Sequence, residues 1–213
     1  MSERHVLSVP RTARCFVEGS VGSETREVWY GLHGYGQLAD RFLAELGSLA
    51  GPERLLVAPE ALSRFYNRSG RGPIGASWMT AVERKDEIAD YVAYLDAVHE
   101  NVVGGFEPAR LCVLGFSQGA ATAARWALLG RVRVDRLILW GADFPPDLDL
   151  EEHRAALQRL ELFLVVGRSD PMAENGRIDR DVERLLANGI EHRFVLFDGG
   201  HELDEETLAA LER

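Results

Sequence analysis

The stretch "RLCVLGFSQGAATAARWALLG", Arg110 to Gly130, passes from an apolar run through a serine flanked by glycines into an alanine-rich segment. Its first residues have the continuous apolar character of a strand covered on both faces. The alanines and leucines beyond Gln118 favour helix. Gly115, Ser117 and Gly119 therefore fall at alternate positions where a strand must turn sharply into a helix. So tight a turn strains the backbone, and strain of that kind persists where it serves a purpose.

Further strand-length apolar runs lie on either side: "REVWYGLHG" (Arg26 to Gly34), "RLLVAP" (Arg54 to Pro59), "RLILWG" (Arg136 to Gly141), "LFLVVG" (Leu162 to Gly167) and "HRFVLF" (His192 to Phe197). A first strand or hairpin is expected within His5 to Gly19. Helical spacing marks Leu38 to Ala50, Asp86 to Val103, Ser117 to Gly130, Asp179 to Gly189 and Asp204 to Arg213. Strand and helix alternate, which predicts an α/β sandwich with a mostly parallel sheet. Glu60 to Thr80 and Ala142 to Leu150 read as irregular. Both follow strands, so both belong at the C-terminal edge of the sheet, where open α/β sheets bind ligands.

Bulk properties narrow the function. The 213 residues suffice for one well-buried core and are few for two. A formal net charge of −10 argues against a nucleic-acid partner and against docking on an anionic membrane by charge. No run approaches membrane-spanning length and the opening residues lack the pattern of a signal peptide, so a soluble cytoplasmic protein is expected. The two cysteines, Cys15 and Cys112, have no metal-ligand spacing, and Cys112 reads as a small core residue. No metal site is expected, and a homodimer stays open as an assembly.

"GFSQG" fits G-x-S-x-G with a strand before it and a helix after it, the context that makes the pattern informative. Side chains two positions either side of the serine would meet the neighbouring strand and helix, hence glycine at both. A serine hydroxyl needs a base to take its proton and a carboxylate to orient that base. Asp170 in "GRSDPM" and His201 in "GGHEL" follow in the order Ser, Asp, His, each just past a strand on the expected sheet edge. Asp143 in "WGADFPP" is the rival acid, and Asp198 reads as a turn residue. The backbone N–H groups of Gln118 and of Tyr35, in "GLHGYGQLAD", are the candidate oxyanion donors. His33 reads as a structural residue holding that loop through its ring nitrogens. His5, His99, His153 and His192 have no motif context and are expected at the surface. Phe65, Tyr66, Trp78, Met79, Phe144 and Met172 flank the serine in loops and are candidates for an apolar acyl groove.

Taken together, "LHGYG", "GFSQGA", "GRSDPM" and "GGHEL" resemble the carboxylesterase/phospholipase family of α/β-hydrolases, which includes acyl-protein thioesterases. The similarity runs from about Val28 to Leu211. It implies a compact α/β-hydrolase fold with a mostly parallel central sheet, helices on both faces and no large lid domain. Residues 1–213 would form a single domain. It also implies a serine hydrolase that cleaves carboxylic esters, thioesters or lysophospholipids without a cofactor. Ser117 would be nucleophile, His201 base and Asp170 acid, with Tyr35 and Gln118 giving the oxyanion amides. Two departures stand out. Ala120 occupies a position where a further glycine is common. Ala61 to Ile88 replaces the usual segment in which an aspartate soon follows a tryptophan, leaving the substrate preference open. Two other readings remain: the same triad acting as peptidase, amidase, lactonase or carbon–carbon hydrolase, and a non-catalytic binding protein.

Overall fold

The computed structural model describes residues 2–68 and 70–212. In chain order these residues form β1 (Cys15–Glu18), β2 (Glu27–Leu32), α1 (Ala39–Glu45), β3 (Arg54–Pro59), β4 (Ser63–Arg68), β5 (Arg71–Ser77), α2 (Arg84–Val102), β6 (Arg110–Phe116) and α3 (Gln118–Leu129). There follow β7 (Arg136–Trp140), α4 (Arg154–Leu157), β8 (Glu161–Gly167), α5 (Pro171–Glu174), α6 (Arg177–Ala187), β9 (Arg193–Phe197) and α7 (Glu205–Leu211). The last helix was expected to reach Arg213, which lies outside the described residues.

Seven strands form one sheet in the order β1-β3-β2-β6-β7-β8-β9. The strand β1 runs antiparallel to β3, and every other neighbouring pair in the sheet is parallel. Alternate strand residues enter two separate cores. Tyr30, Val57, Val113, Leu139 and Leu164 face α2, α3 and α6. Trp29, Leu56, Leu114, Ile138, Trp140 and Phe163 face α1 and α7. Both faces are dry, so the strand sequences carry no polar alternation and read as unbroken apolar runs. Each fully buried Val, Leu, Ile or Phe contributes about 1.5–3 kcal/mol. Cys112 sits in the second core as expected, its thiol pushed up to about 12 by burial.

The expected α/β sandwich is therefore present, with helices on both faces and, among the described residues, no separate lid domain. The stretch from Glu60 to Thr80 is not irregular. It holds the β4–β5 hairpin, in which Phe65 pairs with Gly75 and Tyr66 with Ile74. Four of the six β4 residues are exposed, so burial imposes no apolar pattern that would announce a strand. The segment Ala142 to Leu150 is irregular, as expected, and is tied down by charge. Arg125, buried on α3, donates from Nε and from an Nη to the two oxygens of Asp147 at 2.9 and 2.7 Å. Of the four histidines expected at the surface, only His5 is exposed. His99 is half-buried, with its Nδ1 3.0 Å from the Tyr30 hydroxyl, and His153 and His192 are also half-buried.

Candidate active site

Strand β6 ends at Phe116 and α3 begins at Gln118, leaving Ser117 alone to make the turn. Its backbone sits at φ 53°, ψ −117°, one of two non-glycine residues with positive φ among those described. Its N–H donates to the carbonyl of Trp140 at the end of β7 (2.8 Å), which pins the turn to the sheet edge. The flanking glycines are steric requirements. A Cβ on Gly115 would lie 2.2 Å from the Gly119 carbonyl oxygen, and one on Gly119 would lie 2.0 Å from that of Leu32. The side chain of Ser117 is left half-buried at the C-terminal edge.

Asp170 and His201 meet at the same edge. The loop after β8 carries Asp170, which is 1% exposed, and its Oδ1 accepts from the Met172 N–H at the start of α5. Its Oδ2 lies 2.7 Å from His201 Nδ1. The imidazole, 37% exposed at its side chain, packs with its centroid 4.9 Å from that of Phe116, the residue before the serine. Gly141, at φ 65° just past β7, gives this pair its room: a Cβ there would come within 3.1 Å of the imidazole and 3.3 Å of Asp170 Oδ2. His201 Nε2 and Ser117 Oγ have no hydrogen-bond partner among the described residues. Asp143, the rival acid, does not bond His201. Asp198 is a surface residue paired with Arg168 at 2.8 Å.

The loop after β2 closes a third side. A Cβ on Gly34 would come 3.3 Å from Ser117 Cβ. Gly34 to Gln37 form a turn closed by Gln37 N–H to Gly34 O (3.2 Å), with Gly36 at φ 78° in its third position. That arrangement suits a type II turn, where glycine is favoured. The Gln37 side chain accepts from the Gly34 N–H at 2.7 Å. His33 lies fully buried beneath. Its Nε2 accepts from Ala61 N–H (3.1 Å), so the proton resides on Nδ1, which donates to Gly34 O (2.8 Å). Burial lowers its pKa and keeps the ring neutral, which makes it a loop anchor, as expected. The amides of Tyr35 and Gln118 have no acceptor among the described residues.

The candidate groove residues divide. Trp78 (3% exposed) and Phe144 (1%) are buried in the core. Trp78 donates its indole N–H to His33 O at 2.8 Å, and Phe144 lies under the Arg184 guanidinium. Met79 and Met172 are half-buried, Tyr66 is exposed, and Phe65 packs tilted against the exposed ring of Tyr35 with centroids 4.9 Å apart. A cleft of about 650 Å³ opens beside His201, lined by Phe116, Gln37, Ser48, Leu203 and Leu208 among others. Sequence reasoning missed the side chain of Gln118, whose Oε1 accepts from Trp78 N–H (3.0 Å) and whose Nε2 donates to Met79 O (2.8 Å). It also missed the β4–β5 hairpin, for which Gly70 was a turn signal. Among the described residues no group of three or more His, Cys, Asp or Glu is placed to hold a metal ion, and no helix is long and apolar enough to cross a membrane.

Residues 25–213 match the model of the phospholipase/carboxylesterase family. Among solved structures, acyl-protein thioesterase 2 of Zea mays superposes with a TM-score of 0.70 at 21% identity, over 94% of this chain and 98% of that one. A phospholipase/carboxylesterase from Dyadobacter fermentans gives 0.68 at 18%, over 96% of each chain. A carboxylesterase from Mesorhizobium loti gives 0.68 at 19%, over 88% of this chain and 87% of that one. No curated protein matches the sequence. The architecture is that of an α/β-hydrolase. More narrowly, the chain belongs to the phospholipase/carboxylesterase family and is a hydrolase.

Proposed function

We propose that the protein is a serine esterase that cleaves carboxylic esters, and by the same chemistry thioesters or lysophospholipids, through a Ser117–His201–Asp170 triad. The observation that carries this reading is the 2.7 Å bond from His201 Nδ1 to the buried Asp170, on the sheet edge where Ser117 is held in a strained turn. With Nδ1–H directed at the carboxylate, Nε2 is the ring nitrogen available as base. It takes the hydroxyl proton as Ser117 Oγ attacks the acyl carbon. The oxyanion that forms receives the N–H groups of Tyr35 and Gln118, the second at the N-terminus of α3, whose dipole favours negative charge. Collapse breaks the ester bond, and the imidazolium protonates the departing alcohol or thiol. Water, deprotonated by the same imidazole, then attacks the acyl-serine and releases the acid. Asp170 fixes the tautomer and stabilises the imidazolium. The reading takes residues 1–213 as one domain acting in the cytoplasm with no cofactor.

The test is turnover of p-nitrophenyl esters of increasing acyl length beside an acyl thioester and a lysophospholipid. Ser117→Ala should lower kcat by roughly 10⁴- to 10⁶-fold on every substrate that the wild type hydrolyses. A variant that keeps activity within tenfold of wild type contradicts the triad.

A further inference from the structure

Resting on that reading, we propose that the β4–β5 hairpin is a strut that sets the distance between the two oxyanion amides, with Gly75 and Asn67 as positioning residues. The hairpin touches both donors' supports. Toward Tyr35 it makes a backbone pair: Gly36 N–H donates to Ala76 O (2.9 Å) and Ala76 N–H donates to Gln37 O (3.0 Å). Asn67 Nδ2 donates to Gly36 O at 3.1 Å, and the Phe65 ring backs that of Tyr35. Toward Gln118, the residues at and just past the end of β5 are gripped by the glutamine side chain, through Trp78 N–H and Met79 O. The amide of Tyr35 is thus fixed to one side of the hairpin and that of Gln118 to its end. An oxyanion hole works only when its donors are preorganised at the position the anion will take.

The closeness of the fit gives the strut a specific weak point. A Cβ on Gly75 would stand 2.4 Å from Gly36 O, 2.6 Å from Gly36 Cα and 2.6 Å from Asn67 Oδ1. Gly75 has no positive φ, so an alanine there meets no backbone penalty of its own. The added methyl meets the loop backbone at Gly36 as well as the Asn67 side chain, and because the Gly36 atoms are backbone it must push the loop away from the hairpin.

Gly75→Ala should lower kcat on a p-nitrophenyl ester by roughly 10- to 100-fold with KM within about twofold, as a displacement near 1 Å at reacting groups does. Affinity for a boronic acid, which mimics the tetrahedral state, should weaken by the same factor. Ile74→Ala, at a 43% exposed residue of the same strand, should leave both within about twofold. Wild-type kcat in Gly75→Ala overturns the proposal, as does a loss of kcat that Ile74→Ala shares or that leaves boronate affinity unchanged. If Gly75→Ala does not fold, Asn67→Ala reads the same strut without added volume. It should lower kcat and boronate affinity together by several-fold, and unchanged values overturn the proposal. Failure of the triad itself would show separately, as activity surviving Ser117→Ala.

Discussion

At Ser117 the chain accepts a left-handed backbone that a residue with a Cβ rarely adopts, and it does so between two glycines that cannot be replaced. Gly119→Ala would drive a methyl to 2.0 Å from the Leu32 carbonyl and 2.6 Å from that of His33, both backbone atoms. Overpacking that cannot relax should cost about 3 kcal/mol or more, read as a lower urea midpoint at unchanged slope. Asp170 offers a functional counterpart. Asp170→Asn places an amide where a carboxylate now accepts from His201, so the ring is driven to the wrong tautomer. Under the triad reading kcat should fall about 10⁴-fold, as for the equivalent change in other triads. Asp143→Asn should stay within a few-fold. The opposite outcome would move the acid to Asp143. These residues were legible because each stands at a strand end with its neighbours in sequence: the glycines around Ser117, and the turns of "GRSDPM" and "GGHEL". Gln118 could be read only as a backbone donor, since nothing local says that its side chain grips Trp78 and Met79.

Among the elements, the sheet strands were readable because two dry faces impose unbroken apolar runs, and β3 begins and ends where "RLLVAP" does. The hairpin was not readable, because β4 rests on a loop rather than on the core and keeps Arg64, Tyr66, Asn67 and Arg68 exposed. Its strand identity comes from cross-strand pairing and from contacts with Gly36 and Gln37, which are tertiary facts. Likewise, no local pattern announces that Arg125 of α3 reaches Asp147. Arg125→Leu removes the buried partner of the carboxylate and leaves it to Arg84, at 2.6 Å. Removing Arg125 should destabilise by about 2–3 kcal/mol, below the roughly 3–5 kcal/mol of fully buried pairs because Asp147 is one-third exposed. Chemical denaturation checks it. A midpoint equal to wild type would mean the pair contributes nothing net.

For the whole molecule, stability should depend on pH through the buried His33 and the half-buried His99. Burial lowers the pKa of both His33 and His99, although Asp96 and Glu100 pull His99 the other way. Their folded values lie below the unfolded one, so the unfolded chain takes up protons first as pH falls through about 6.5. Stability should be full above that value and decline below it, with a urea midpoint lower at pH 5.5 than at 7.5. His99→Asn should flatten part of that slope. A further loss belongs to Asp147. Partial burial would raise its carboxyl, but the Arg125 hydrogen bonds and charge outweigh this and, with Arg84, hold it at about 2. Its stabilising effect is present above the ordinary carboxylate value of about 3.9 and disappears as pH falls towards 2. Under the proposed triad, function at this scale rests on one convergence: the loops after β6, β8 and β9 carry an alcohol, a carboxylate and an imidazole to one rim of the sheet. The most direct test is stoichiometric reaction with a fluorophosphonate at neutral pH, followed by mass spectrometry of the peptides. The triad predicts one adduct per chain, on Ser117, with esterase activity lost in proportion to labelling. A chain that hydrolyses esters yet takes no label at Ser117, or takes it elsewhere in step with inactivation, would contradict it.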